Sequence, residues 1–188
     1  MTDNKMRILI RGGSIAAGHG VPRGYAEILH EKLARSGIEC INRSRYRETS
    51  FDGVWTFDED IEPFRPDILL LNFGIDDAFR PVYRSEFQEN HVQIIRRARK
   101  LFNPRIILAT SHTFDDLYDM DAVNIYYRSL RIVAKDLLCE LIPIDSLWAG
   151  YIYEKALSNS ELCLADTRYP DERGHKIFAD FVYDYLKV

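Results

Sequence analysis

Five short apolar runs, at positions 8–10, 38–41, 68–71, 106–109 and 141–144, recur along the chain with helix-like stretches between them. The intervening segments 24–35, 52–64, 85–101, 121–140 and 171–186 place apolar residues three and four apart, as amphipathic helices do, the pattern over 52–64 being the weakest. The runs hardly alternate apolar with polar residues, so each is buried on both faces. Strands of that kind, joined by helices, build a parallel sheet covered on both sides. Pro66 and Pro104 stand just before two of the runs and stop the preceding helices. The pattern predicts a three-layer α/β/α sandwich with a five-stranded parallel sheet. Such a sheet binds ligands at the carboxyl ends of its strands, where the strand order reverses.

A length of 188 residues suits one domain spanning 1–188. Cys40, Cys139 and Cys163 are odd in number and widely spaced, which predicts neither a disulfide framework nor a metal site. The first ten residues pass from polar directly into strand, and no apolar run approaches the ~18 residues of a membrane span. A cytoplasmic protein without a membrane span is expected. A net charge of −4 argues against a nucleic-acid partner, and no motif calls for a cofactor.

The first strand ends in "GGSIAAG", residues 12–18. A dinucleotide turn would read G-x-G-x-x-G, with an acidic residue ending the second strand, and both are missing. Ser14 by itself reads as a helix cap. The other strand ends change that reading: "INRSRYRETS" (41–50), "LNFGIDDAF" (71–79), "ATSHTFDD" (109–116) and "DTRYPDERGHKIFAD" (166–180). In order and spacing these blocks resemble the SGNH/GDSL hydrolase superfamily, which implies a flavodoxin-like strand order and an ester hydrolase. In that family a serine is the nucleophile, a histidine its base and an aspartate the orienter. The serine amide, a glycine amide and an asparagine side chain form the oxyanion hole.

Carried over by position, the resemblance assigns Ser14 as nucleophile, Asp166 as orienter and Tyr169 where the histidine belongs. The oxyanion positions fall on Ser14, Arg47 and Asp76, while Gly13 replaces the usual aspartate. A phenol with a pKa of ~10 is a poor acceptor for the serine proton. An ionised Asp76 accepts hydrogen bonds and repels a developing oxyanion. Since Arg47 and Asp76 replace converging groups, they are expected to pair with each other. His112, after the fourth strand, is a candidate substitute base or else a surface histidine. His19 reads as a solvated rim residue, His175 as structural, His30 and His91 as helix residues for which the sequence names no partner, and Cys163 as inert.

Arg11, Arg43, Arg45, Arg47 and Arg168 gather at strand ends, with Arg80 and Arg84 near them, and guanidinium forks suit carboxylate or phosphate. They either bind an anion or pair with Asp76, Asp77, Asp115 and Asp116. Trp55, Phe57, Phe73 and Phe79 line an acyl pocket or belong to the core. The expectation is an atypical serine ester hydrolase acting on a small, anionic ester. The alternative is a catalytically inactive relative binding an anionic ligand or protein partner, and a third reading uses Tyr169 and Asp166 as an acid pair.

Overall fold

The computed structural model describes residues 5–80 and 82–186. Strands β1 (Arg7–Gly12), β2 (Glu39–Asn42), β3 (Ile68–Asn72), β4 (Arg105–Ala109) and β5 (Glu140–Ile142) form one all-parallel sheet in the order β2-β1-β3-β4-β5. This is the predicted flavodoxin-like order. Alternation along β1 feeds two cores. Ile8 and Ile10 pack with Tyr25, Leu29 and Leu33 of α1 (Tyr25–Ala34) and with Phe178 and Val182 of α8 (Glu172–Leu186). Leu9 joins Leu69 and Leu71 on the other face, under Phe87, Ile94 and Ile95 of α5 (Arg84–Leu101) and Leu130 of α6 (Leu117–Asp136). Each such side chain contributes ~1.5–3 kcal/mol by leaving water.

The chain departs from the sequence reading in four places. The segment read as one helix over 52–64 breaks into α2 (Ser50–Trp55), α3 (Phe57–Asp60) and a 3₁₀ turn (Glu62–Phe64), with Thr56 between the first two and Pro63, which lacks an N–H, in the turn. Helix α6 starts earlier than predicted because the Asp116 carboxylate caps it, accepting the Asp119 N–H at 2.9 Å. The fifth strand ends at Ile142, since Pro143 opens an unforeseen helix, α7 (Ile144–Lys155). A short helix, α4 (Ile75–Phe79), follows β3. Gly74 starts it at φ +133°, a conformation only glycine takes without strain.

Three histidines lie buried in this framework. Burial holds His91 and His175 down to about 4 and His112 to about 3, His175 adding to the effect on His112. Each is lower in the native state than in the unfolded chain (~6.5), so the unfolded chain takes up protons first. Stability is therefore complete above pH ~6.5 and falls as pH drops toward those values, by on the order of 2 kcal/mol per histidine at pH 5. Asp77, which burial pushes up to about 7, acts in the opposite sense and offsets about one of the three. The urea midpoint is expected to fall clearly between pH 7 and pH 5. A midpoint unchanged over that range would show that the imidazoles are not held neutral.

Candidate active site

The carboxyl ends of β1, β2 and β3 converge on Ser14. After Gly12 the chain coils tightly, with Ala17 N–H bonded to Gly13 O at 2.9 Å and His19 N–H to Ser14 O at 3.0 Å. Gly18 and Gly20 take positive φ on either side of His19, whose ring packs on Tyr46 and Tyr169. Ser14 itself is fully buried. Its hydroxyl donates to Asp76 Oδ1 and its backbone N–H to Asp76 Oδ2, both at 2.6 Å. A third bond, from the Arg47 N–H at 2.9 Å, also ends on Ser14 Oγ. Arg47 sits at φ +63°, so the backbone there takes a glycine-like conformation although its residue is arginine.

Gly13 and Asp76 are sterically matched. A Cβ at Gly13 would lie 2.1 Å from Asp76 Oδ2 and 2.4 Å from the Glu48 carbonyl oxygen. The missing side chain is the space through which the Asp76 carboxylate reaches the Ser14 amide. Burial raises the Asp76 carboxyl above its ordinary value, while the two Ser14 bonds and the nearby Arg80 and His19 pull it down. Asp77 next to it is structural. Its carboxylate accepts the Ser50 N–H (2.9 Å), the Ser50 hydroxyl (2.6 Å) and the Gly74 N–H (3.0 Å), tying the second strand-end loop to the third.

Tyr169 is half-buried. Burial raises its phenol, the Asp76 charge raises it further, and a side-chain contact with Ser14 opposes them. Asp166 is exposed and accepts the Arg168 N–H at 3.1 Å. Asp166, Arg168 and Tyr169, with Phe79, Asp116 and Asp119, line a cavity of about 420 Å³. The structure thus brings Ser14, the Arg47 backbone, Asp76 and Tyr169 together.

The expected Arg47–Asp76 ion pair does not form among the described residues. Asp76 turns to Ser14 instead, and the Arg47 guanidinium stays exposed. Arg11, Arg43, Arg45 and Arg168 are occupied. Arg11, fully buried, pairs with Glu48 and lies 3.4 Å from Asp60. Arg43 and Arg45 converge on the same buried Asp60 at 2.8 and 2.6 Å, and Arg168 pairs with Asp119 at 2.8 Å. Hydrogen bonds from Arg45, Thr56 and Arg43 overcome the burial that would raise the Asp60 carboxyl, and hold it below the usual range. The sequence reading gives neither acid a role: Asp60 lies outside the strand-end blocks, and Glu48, within the second, matches no family position. Arg80 donates to the Arg47 carbonyl at 2.5 Å, and it and Arg47 have no carboxylate partner among the described residues.

His112 is not a surface residue. It is buried with its ring 4.6 Å from Phe114 and 5.4 Å from Trp148, and its Nδ1 lies 3.1 Å from the Ser111 hydroxyl rather than against Ser14. The imidazole that does reach the cleft belongs to His19, stacked on Tyr46 at 3.9 Å and edge-on to Tyr169 at 4.9 Å. The flanking glycines Gly18 and Gly20 were the available signal for that placement. Phe57 and Phe73 are core, Trp55 is exposed, and of the four aromatics weighed for an acyl pocket only Phe79 lines the cavity. Cys163 is buried and its thiol is pushed up to about 12, first by burial and then by Asp171, Asp115 and Asp166. Among the described residues no group of three or more His, Cys, Asp or Glu is placed to hold a metal ion, and no helix is long and apolar enough to cross a membrane.

The sequence matches the family model described as GDSL-like Lipase/Acylhydrolase over residues 11–177. No curated protein matches it. Among solved structures, a catalytic mutant of Axe2, an acetylxylan esterase from Geobacillus stearothermophilus, superposes with a TM-score of 0.85 at 19% identity, covering 100% of this chain and 97% of that one. The acetyl xylan esterase AlAXEase gives a TM-score of 0.82 at 20% identity, over 96% of this chain and 100% of that one. A lipase/acylhydrolase from Enterococcus faecalis gives 0.80 at 18%, over 97% and 95%. At these identities the likeness shows the fold.

Proposed function

Since the chain belongs to the GDSL-like lipase/acylhydrolase family, we propose that it is a member whose serine centre is held closed by Asp76, and whose cleft binds a small anionic ligand rather than hydrolysing esters rapidly. One observation carries this reading: the Asp76 carboxylate takes both protons that Ser14 would use, the hydroxyl proton and the amide N–H of the oxyanion hole. A serine hydroxyl needs a base to attack and a vacant donor set to hold the resulting oxyanion. Here Tyr169 supplies no base near neutrality, and the donor set already holds an anion. Losing a triad base costs on the order of a million-fold in a comparable enzyme, and an oxyanion donor a further ~100–1,000-fold. Arg47 and Arg80, exposed and without carboxylate partners among the described residues, are the groups left to offer an external carboxylate or phosphate.

Wild-type protein is expected to resist labelling by a fluorophosphonate probe at pH 7.5 and to hydrolyse p-nitrophenyl acetate at nearly the rate of buffer. Rapid labelling at Ser14 would overturn the closed-centre reading. A second reading, a hydrolase with a displaced base, is favoured by the His19 ring lying against Tyr169. It requires ester hydrolysis by wild type that disappears in both Ser14→Ala and His19→Ala.

A further inference from the structure

The outward face of α6 carries two rows of exposed side chains. Tyr118, Ile125 and Ile132 stand seven residues apart and are 88%, 44% and 50% exposed. Asp121, Arg128 and Lys135, each three residues further on, form the second row, exposed and without ion pairs among the described residues. Seven-residue spacing keeps each row on its own side of the helix, with a drift of ~20° per repeat. Single exposed apolar residues are ordinary on a protein surface. Here the apolar residues form an aligned row beside a row of unpaired charges of both signs.

We propose that this face docks against the same face of a second copy of the chain, α6 against α6 in antiparallel. A two-fold axis perpendicular to the helix keeps each row on its own side and reverses its direction, as an isologous contact requires. Centred on Arg128, it sets Asp121 of one copy against Lys135 of the other, twice, and Ile125 against Ile132, twice. A parallel pairing about a two-fold along the helices would exchange the sides and lay each charged row on the other copy's apolar row, so the arrangement of the rows selects the antiparallel one. Arg128 meets its own copy at the axis and is the one repulsive contact. The proposal is independent of the serine centre, because it uses none of the residues around Ser14.

Sedimentation equilibrium over a range of protein concentrations tests it, with thermal unfolding to confirm that each variant is folded. Wild type is expected to show a reversible monomer–dimer equilibrium. Ile125→Asp with Ile132→Asp should weaken it by about 10-fold or more, the scale of losing a buried apolar anchor. Asp121→Lys and Lys135→Asp should each weaken it, while the two together restore it, since the swap rebuilds both pairs. Arg128→Ala should tighten it. Monomer at every concentration overturns the proposal, as does a dimer indifferent to the isoleucine changes or a double charge swap weaker than either single one.

Discussion

Changing Tyr169 to His together with Asp76 to Asn is expected to raise p-nitrophenyl acetate hydrolysis by at least ~100-fold over wild type and to make Ser14 react with a fluorophosphonate. The lower bound is the scale of a single oxyanion donor. An imidazole at position 169, three residues after Asp166, titrates near neutrality and can take the Ser14 proton as Oγ attacks the ester carbonyl. Asparagine at 76 is nearly isosteric with aspartate, so it keeps clear of Gly13 while removing the charge that repels the oxyanion. Each change alone should give little, because Asp76→Asn leaves Ser14 without a base and Tyr169→His leaves the hole filled. Ser14→Ala in the double variant should return the rate to that of buffer. A folded double variant as inert as wild type would mean that the cleft has changed beyond these side chains, and a large gain from Asp76→Asn alone would show that the hole, not the base, was limiting.

Asp60→Ala is expected to cost ~3–5 kcal/mol of stability, the penalty for removing one partner from a buried ion-pair network. The Asp60 side chain is wholly buried and neutralises Arg43 and Arg45 while lying beside Arg11, whose side chain is also wholly buried. Arg43 and Arg45 are part-exposed and can turn to water, but Arg11 cannot, and Glu48 would be its one remaining carboxylate among the described residues, beside hydrogen bonds to Gly12 O and Thr56 Oγ1. In a chain of this size that is on the order of a 10 °C fall in Tm. Urea unfolding checks it against Asp166→Ala, an exposed aspartate whose loss should change stability by less than ~0.5 kcal/mol. Equal effects of the two would show that the arginine network adds nothing. The same loss should loosen the loop carrying Arg47, and with it the third hydrogen bond on Ser14.

The five strands were legible because a strand covered on both faces must be apolar at nearly every position, and sequence records that directly. Ile68–Asn72 and Arg105–Ala109 lie within one residue of the runs that predicted them. The parallel order followed from helices standing between strands. Helices α4 and α7 were less legible. The first is five residues long and begins at a positive-φ glycine, and the second starts at the residue where the apolar run of β5 continues without a break.

For the cleft, the family resemblance of the sequence blocks indicated which positions meet, with Ser14, Arg47 and Asp76 following neighbouring strands and Tyr169 preceding α8. It did not determine how they pair. Opposite charges at converging positions suggested Arg47 with Asp76, whereas the bare Cα of Gly13 lets the carboxylate fold onto the Ser14 amide and hydroxyl, leaving Arg47 to contribute its backbone N–H. His19 and Asp60 likewise acquired their places from local backbone geometry, at the positive-φ Gly18 and Gly20 and at the break between α2 and α3. Hydrophobic patterning constrains where a backbone runs, but the partner of a buried charge is decided by ångström-scale space and by competing donors. Those exist only once the three loops are packed together.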